Sequence, residues 1–468
     1  MAQTRRFPKG FVWGSATSAL QIEGATFEEG RGASVWDVFC REHPERIFGR
    51  ATPEPACGHY RRWAEDVKLM AELGHTGYRL SISWPRLFPG AGARLNEKGA
   101  SFYDRLFDAL LAAGIEPNVT LYHWDLPQEL GQRGGWEDPE TGRRFADYAF
   151  ACCRRFGDRV RLWATINEPA WTVLNGYVTG LHPPCRRQDY AGALRAAQGL
   201  LRGHALAAAA LRQERREARA GIVLNMSRIH PASDSAADAS AAALADGVIN
   251  RWFSDAVLHG RFPEDIRDFY SRQGLLPEGA GETEALLRRA PVDFLGVNYY
   301  YPHYASADAP ATEFHLNTSG RAEEDCVFSI RGLFRFVKNP RGRFTAWGWE
   351  IDPEGLFDLL MRVQEARPGL PVYVTENGLG RIEELRDGTV DDGERIDFVR
   401  AHLEAVHRAL AAGAAVRGYY MWSLMDNFSW INGYKKRYGF LYVDRSTLER
   451  TKKRSALWFR DVAGANAL

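Results

Sequence analysis

The run Leu162-Trp163-Ala164-Thr165-Ile166-Asn167-Glu168-Pro169 is apolar and β-branched until its last residues, then ends in an amide, a carboxylate and a proline. Val372-Tyr373-Val374-Thr375-Glu376-Asn377-Gly378 repeats the form, a short run that stops on a glutamate, an asparagine and a glycine. Short runs of this kind bounded by turn residues read as buried strands. A carboxyl group at the C-terminal tip of a strand is poorly placed for packing and well placed for chemistry. Two of them are what cleavage of a glycosidic bond requires, if the fold brings them together.

The same strand-like signal recurs along the chain, giving eight expected strands: Phe11–Thr17, Gly77–Ser83, Glu116–Tyr122, Leu162–Asn167, Gly221–Asn225, Phe294–Tyr299, Val372–Thr375 and Arg417–Ser423. Amphipathic stretches lie between them, among them Tyr60–Leu73, Phe102–Ala113, Phe145–Phe156, Ala193–Gln213, Pro353–Glu365 and Ile396–Leu410. Gly74, Gly114 and Gly413 follow such stretches, as helix C-caps do. Eightfold strand–helix alternation predicts an α/β fold, a (β/α)₈ TIM barrel with long βα-loops over its active face. Residues 1–468 are expected to form one domain. Ala232–Ala245 reads as an exposed loop or a helix start, and residues 303–348 as a long loop without strong periodicity.

Composition narrows the function. At 45% apolar and 25% charged over 468 residues, the chain has material for a large core. A net charge of +1 provides no whole-chain field for gathering nucleic acid or an anionic membrane, so neither is expected as a partner. No run reaches ~18 apolar residues, so no membrane span is expected. Aromatics at 12%, with 14 Trp, fit either a large aromatic core or sugar-stacking walls. The six cysteines (Cys40, Cys57, Cys152, Cys153, Cys185, Cys326) show no C-x-x-C spacing and read as free thiols. Met1–Gly10 has an arginine pair with no apolar segment behind it, which points to a cytoplasmic protein.

The barrel hypothesis can be tested within the sequence, because active residues of such barrels come from several strand tips. Those tips carry Arg79, His123 with Trp124, Asn167 with Glu168, Asn225, Asn298 with Tyr300, Glu376, and Trp422. Two carboxyls about 5 Å apart would support a retaining mechanism. Arg79 beside Glu376 would hold it ionised as the nucleophile, whereas Glu168, facing a negative neighbour, would keep its proton. No G-x-x-x-x-G-K-[ST], G-x-S-x-G or H-E-x-x-H motif is present, the 12 His are scattered, and no metal or cofactor is expected.

Thr165–Pro169 and Val374–Gly378, together with Phe7-Pro-Lys-Gly-Phe-Val-Trp-Gly-Ser-Ala16 and Tyr78-Arg-Leu-Ser-Ile-Ser-Trp-Pro-Arg86, closely resemble glycoside hydrolase family 1 over nearly the whole chain. The resemblance implies a retaining β-glycosidase with Glu168 as acid/base and Glu376 as nucleophile. It implies that Gln21, His123, Trp124, Asn167 and Trp422 bind sugar, that Asn298 and Tyr300 position the nucleophile, and that Trp349 is an aglycone platform. Ordinary β-glucosidases of the family carry Glu where this chain has Ser429. Ser429, Lys436 and Tyr438 resemble instead the branch that hydrolyses 6-phospho-β-glycosides, and Trp430 suits either glucose or galactose.

A Glu at 429 would repel a phosphate dianion; a Ser hydroxyl can donate to it, with Lys436 and Tyr438 as further donors. The expected partner is therefore a small-molecule β-glycoside carrying a 6-phosphate. Two alternatives stand beside it: action on unphosphorylated β-glycosides, with Lys435-Lys436-Arg437 a solvated turn, and a catalytically silent sugar-binding barrel. Asp426-Asn427-Phe428 looks more like the unphosphorylated branch.

Overall fold

The computed structural model describes residues 5–90, 94–321 and 324–468; Met1–Thr4, the start of the stretch read for a leader, lie outside them. Eight strands, β1 (Val12–Ala16), β2 (Gly77–Ser81), β3 (Glu116–Tyr122), β4 (Leu162–Asn167), β5 (Arg219–Asn225), β6 (Phe294–Asn298), β7 (Val372–Asn377) and β8 (Val416–Trp422), close into a barrel in chain order. Every pairing is parallel, and β1 closes the ring against β8, from Val12 beside Gly418 to Ala16 beside Trp422. Each predicted strand is present, with ends shifted by a residue or two.

The strands are continuous apolar runs because both faces are covered. β4 is buried at every position, as parallel strands under helices are. The helix Pro139–Phe156 shows how one cover is made. Asp138 caps it by accepting from the Glu140 N–H, proline opens it, and Arg154 and Arg155 sit in its last turn, where the helix dipole favours cations. Phe145, Tyr148, Cys152 and Phe156 recur at helical spacing and are buried. All six cysteines are free thiols.

The segment 303–348 departs from its expectation as an aperiodic loop. His303–Ser306, Glu313–His315, Val327–Ile330 and Phe334–Val337 join Ile229–Pro231 in a five-stranded sheet beside the barrel. Strands of three or four residues are too short to display an alternation. The hairpin at residues 331–333 turns on Gly332, whose φ of +72° lies in the left-handed region. Ala232–Ala245 resolves as a helix start: the helix Ala236–Asp246, capped by Ser235, packs on this sheet and shares a small core with Ala305, Ile330 and Phe334.

Two strands lose register as they reach the C-terminal mouth, β4 against β5 between Ala164 and Asn167, and β7 against its neighbours after Val374. Bulges re-aim the side chains that follow. Those side chains are Glu168 and Glu376.

Gly378 explains the end of the second motif. A Cβ there would lie 1.9 Å from the Trp422 carbonyl oxygen, so only glycine lets β7 leave past the end of β8. We expect Gly378→Ala to cost about 1–3 kcal/mol, as overpacking does, measured as a lower urea midpoint. An unchanged midpoint with wild-type kcat/KM would contradict that close approach.

Candidate active site

Glu168 follows β4 with its backbone in the left-handed region (φ 49°, ψ 61°), and Pro169 then begins a short helix, Pro169–Val173. A non-glycine residue in that region is strained, commonly at functional sites. Trp124 (φ 76°) and Trp430 (φ 52°) share the feature. Three left-handed residues therefore stand at the barrel mouth.

Arg79 lies in the middle of β2 rather than at its tip, fully buried, and its guanidinium reaches the mouth from below. Nη1 donates to Glu376 Oε1 at 2.5 Å and to the Thr375 carbonyl at 3.2 Å. Nη2 donates to Asn167 Oδ1 at 2.6 Å, and Nε to Thr120 Oγ1 at 3.3 Å. Tyr300 donates to the other Glu376 oxygen, Oε2, at 2.7 Å. Both oxygens of Glu376 are thus held.

Asn298 stands beside Glu376, whose pKa it helps to pull down, and reaches the other carboxyl as well. Its amide donates to Glu168 Oε1 at 2.7 Å and to Asn167 Oδ1 at 3.1 Å, while its own oxygen accepts from Thr375 Oγ1 at 2.7 Å. Asn225 adds a second donor to Glu168 Oε1 at 3.1 Å. With Oε1 occupied by two donors, the proton of the acid form belongs on Oε2, the open oxygen.

The two glutamates sit in different fields. Burial, then the Glu376 charge, pushes the Glu168 pKa up to about 8 against the pull of the two asparagines. Burial also raises Glu376, but Arg79, Tyr300 and Asn298 pull it back. Of the two carboxyls the guanidinium bonds only Glu376, which favours ionisation there and leaves the proton on Glu168.

The remaining predicted residues line the same mouth. Asn167 donates to His123 Nε2 across 3.1 Å, its oxygen being taken by Arg79 and Asn298, so His123 carries its hydrogen on Nδ1, which has no partner. Burial, and then Arg79, lowers the His123 pKa far below its usual value and keeps it neutral. His123 stacks on Trp422 at 5.8 Å. Trp124 donates to the Asn167 carbonyl at 3.1 Å and packs on Trp430 at 4.7 Å. Gln21 donates to the Phe428 carbonyl at 2.8 Å and accepts from Ser18, which leaves an amide hydrogen free.

The loop after β8 carries the other group. Ser429 is buried in a tight turn, its N–H donating to the Gly433 carbonyl at 2.7 Å. Tyr438 lies 6.4 Å from the Tyr300 ring. The expected alternative of a solvated basic turn does not describe the three cations. Lys435 lies over Phe48, and Arg437 pairs with Asp426 at 2.9 Å. Lys436 is 2% exposed, has no carboxylate partner among the described residues, and rests 3.2 Å from the ring centre of Trp349. Burial pulls its pKa well below the usual lysine value. Asp426, which looked like a mark of the unphosphorylated branch, is an anchor, accepting from Arg437, Lys453 and the Gly439 N–H.

Sequence reasoning missed Thr375, which orients Asn298, and Trp347, which flanks Lys436 at 4.8 Å. Trp347-Gly348-Trp349 spacing was the available signal for the second. Trp349 itself stacks on Tyr301 at 4.8 Å.

A closed eight-stranded barrel whose mouth holds two carboxyls, one paired to arginine and one protonated, defines a barrel glycoside hydrolase. Residues 3–468 match the family described as glycosyl hydrolase family 1. The chain is 41% identical to the aryl-phospho-beta-D-glucosidase BglC of Bacillus subtilis and 40% identical to beta-glucosidase A of Acetivibrio thermocellus, each over 98% of both chains. The family 1 b-glucosidase of Thermotoga maritima superposes with a TM-score of 0.92 at 38% identity, covering 100% of both chains. The chain belongs to glycosyl hydrolase family 1 and is a β-glycosidase. Among the described residues no helix is long and apolar enough to cross a membrane.

Arg79→Met leaves Glu376 buried without its cation and should cost about 3–5 kcal/mol. The double variant Arg79→Met/Glu376→Gln, with no stranded charge, should regain much of that in urea unfolding. An equal loss in single and double variants would remove the ionic explanation.

Proposed function

We propose that this β-glycosidase is a retaining 6-phospho-β-glycosidase acting by double displacement. Glu376 attacks the anomeric carbon and forms a glycosyl ester while Glu168 passes its Oε2 proton to the departing glycosidic oxygen. Esterification removes the negative charge of Glu376, so Glu168 becomes a stronger acid. It then takes a proton from water, which cleaves the ester and restores both groups. Gln21, His123, Asn167, Trp124 and Trp422 hold the sugar through the free donors and ring faces at the mouth.

One observation carries the substrate assignment: Lys436 is a buried amine without a carboxylate partner among the described residues. Three neighbouring cations have one. Arg395 pairs with Glu383 and Asp392, Lys453 with Glu383 and Asp426, and Arg437 with Asp426. A phosphate dianion would supply the missing charge, with the Ser429 hydroxyl and Tyr438 as further donors. Relatives named for phosphorylated substrates and for plain glucosides match the chain about equally, so they favour neither reading. Sugars phosphorylated during uptake would meet this enzyme in the cytoplasm.

The discriminating measurement is kcat/KM on p-nitrophenyl β-glucoside against its 6-phosphate, with the galactoside pair alongside. Hydrogen bonds to a charged group contribute about 1.5–3 kcal/mol each, so two should favour the phosphate by about a hundredfold or more. Ser429→Glu should lose far more activity on the phosphate than on the plain substrate. Equal loss on both would sink the assignment and leave a general β-glucosidase.

The pH profile tests the division of roles. The active form pairs protonated Glu168 with ionised Glu376, so kcat/KM should fall as pH rises through about 8 and fall again at low pH, where Glu376 takes up a proton. Glu376→Gln should abolish turnover and, by deleting the neighbouring charge, lower the Glu168 pKa in a carbon NMR titration. A Glu168 pKa that does not move would disconnect the two carboxyls.

A further inference from the structure

Lys436 stands where two parts of the cleft meet. Its nitrogen lies 3.2 Å from the ring centre of Trp349, 4.8 Å from that of Trp347 and 5.4 Å from that of Tyr438. Three rings around one amine form a cage of the kind that holds cations. Trp347 and Trp349 come from the segment between β6 and β7, whereas Lys436 and Tyr438 come from the loop after β8. The amine therefore bridges two loops that approach the mouth from different strands.

Trp349 has no open face in this arrangement. Tyr301 stacks on it at 4.8 Å and 23°, which leaves no room for the amine between the rings, so Lys436 caps the opposite face. Trp349 and Tyr301 also line a cavity of about 80 Å³ with Trp171, on the helix that follows Glu168. Trp171 brings the edge of this cavity, lined mostly by residues 301–350, next to the segment that follows Glu168.

We propose that Lys436 is a movable cap: the substrate's 6-phosphate draws it off Trp349, and the uncovered indole face receives the aglycone. This rests on the phosphate reading above and adds a coupling to it. A charge-assisted hydrogen bond to phosphate outweighs a cation–π contact, so the amine has reason to move. The uncovered ring then offers an aromatic aglycone a stacking partner. Coupling of this kind is reciprocal: an aromatic aglycone strengthens the preference for phosphate as much as phosphate strengthens the preference for an aromatic aglycone. The enzyme is thereby tuned to aryl 6-phospho-β-glycosides rather than to phosphate and aryl groups separately.

The test is kcat/KM for four compounds, p-nitrophenyl and methyl β-glucoside, each with and without a 6-phosphate, and the galactoside set alongside. The intrinsic reactivity of the two leaving groups cancels when the aryl-to-methyl ratio of the phosphorylated pair is divided by that of the plain pair. In the wild-type enzyme this quotient should be about fivefold or more, an interaction of ordinary coupling size. It should fall to one in Lys436→Met, whose cap is apolar and indifferent to phosphate. It should also fall to one in Trp349→Leu, which loses the platform yet keeps the preference for phosphate. A wild-type enzyme that prefers phosphates with a quotient of one overturns the coupling and leaves the phosphate reading in place. A wild-type enzyme with no preference for phosphates overturns both. The wild-type comparison decides the matter even where a variant fails to fold.

Discussion

The barrel mouth is organised by one buried guanidinium. Arg79 rises from the middle of β2 and donates to groups on β3, β4 and β7. Burying such a charge is tolerable only when its donors find acceptors and a counter-charge stands beside it. Glu376 is that counter-charge, and Asn167 the principal neutral acceptor. Asn167 in turn fixes the His123 tautomer and shares Asn298 with Glu168. A single connected path of hydrogen bonds therefore runs from one arginine to both carboxyls, so the positions of the two acids depend on each other and on Arg79.

Within that path the two glutamates differ by what touches them. Glu376 has a cation on one oxygen and a phenol on the other. Glu168 has two neutral amides on one oxygen, none on the other, and a negative neighbour. The same residue type is thus ionised in one place and protonated in the other. The backbone adds its share: left-handed φ at Glu168, Trp124 and Trp430 costs of order 1–3 kcal/mol per residue, which a large core can carry. That strain aims the side chains across the mouth instead of outward.

What the sequence revealed and concealed follows from range. Parallel strands under helices are continuous apolar runs, so all eight were readable, and Thr-x-Asn-Glu and Thr-Glu-Asn-Gly marked two tips. Helical stretches such as Phe145–Phe156 announced themselves by spacing. The sheet in 303–337 was hidden because each strand is shorter than two alternations. Asn298 was expected beside Glu376 alone; that its amide also reaches Glu168 depends on how a side chain turns within a ring of eight tips. The left-handed backbone of Glu168 has no sequence signature, since glutamate is not chosen for it. Lys436 was expected as a phosphate donor, with a solvated turn as the alternative; what stayed hidden was its burial, which arises from two tryptophans almost ninety positions earlier in the chain.

That burial is the feature least explicable by stability. A buried amine without a carboxylate partner among the described residues is worse for folding than an apolar side chain of similar length. The neighbouring loop demonstrates the usual remedy, since Arg395, Arg437 and Lys453 each meet carboxylates. Nothing prevents a carboxylate near Lys436 in principle, and a glutamate at 429 would bring one to the same loop. Ser429 instead leaves the charge unmatched. The aromatic cage softens the cost without cancelling it, because rings attract a cation yet do not replace its hydration. An amine kept dry, lightly held and without a carboxylate partner among the described residues, at a sugar-cleaving mouth, is poised for an anion that arrives with the substrate.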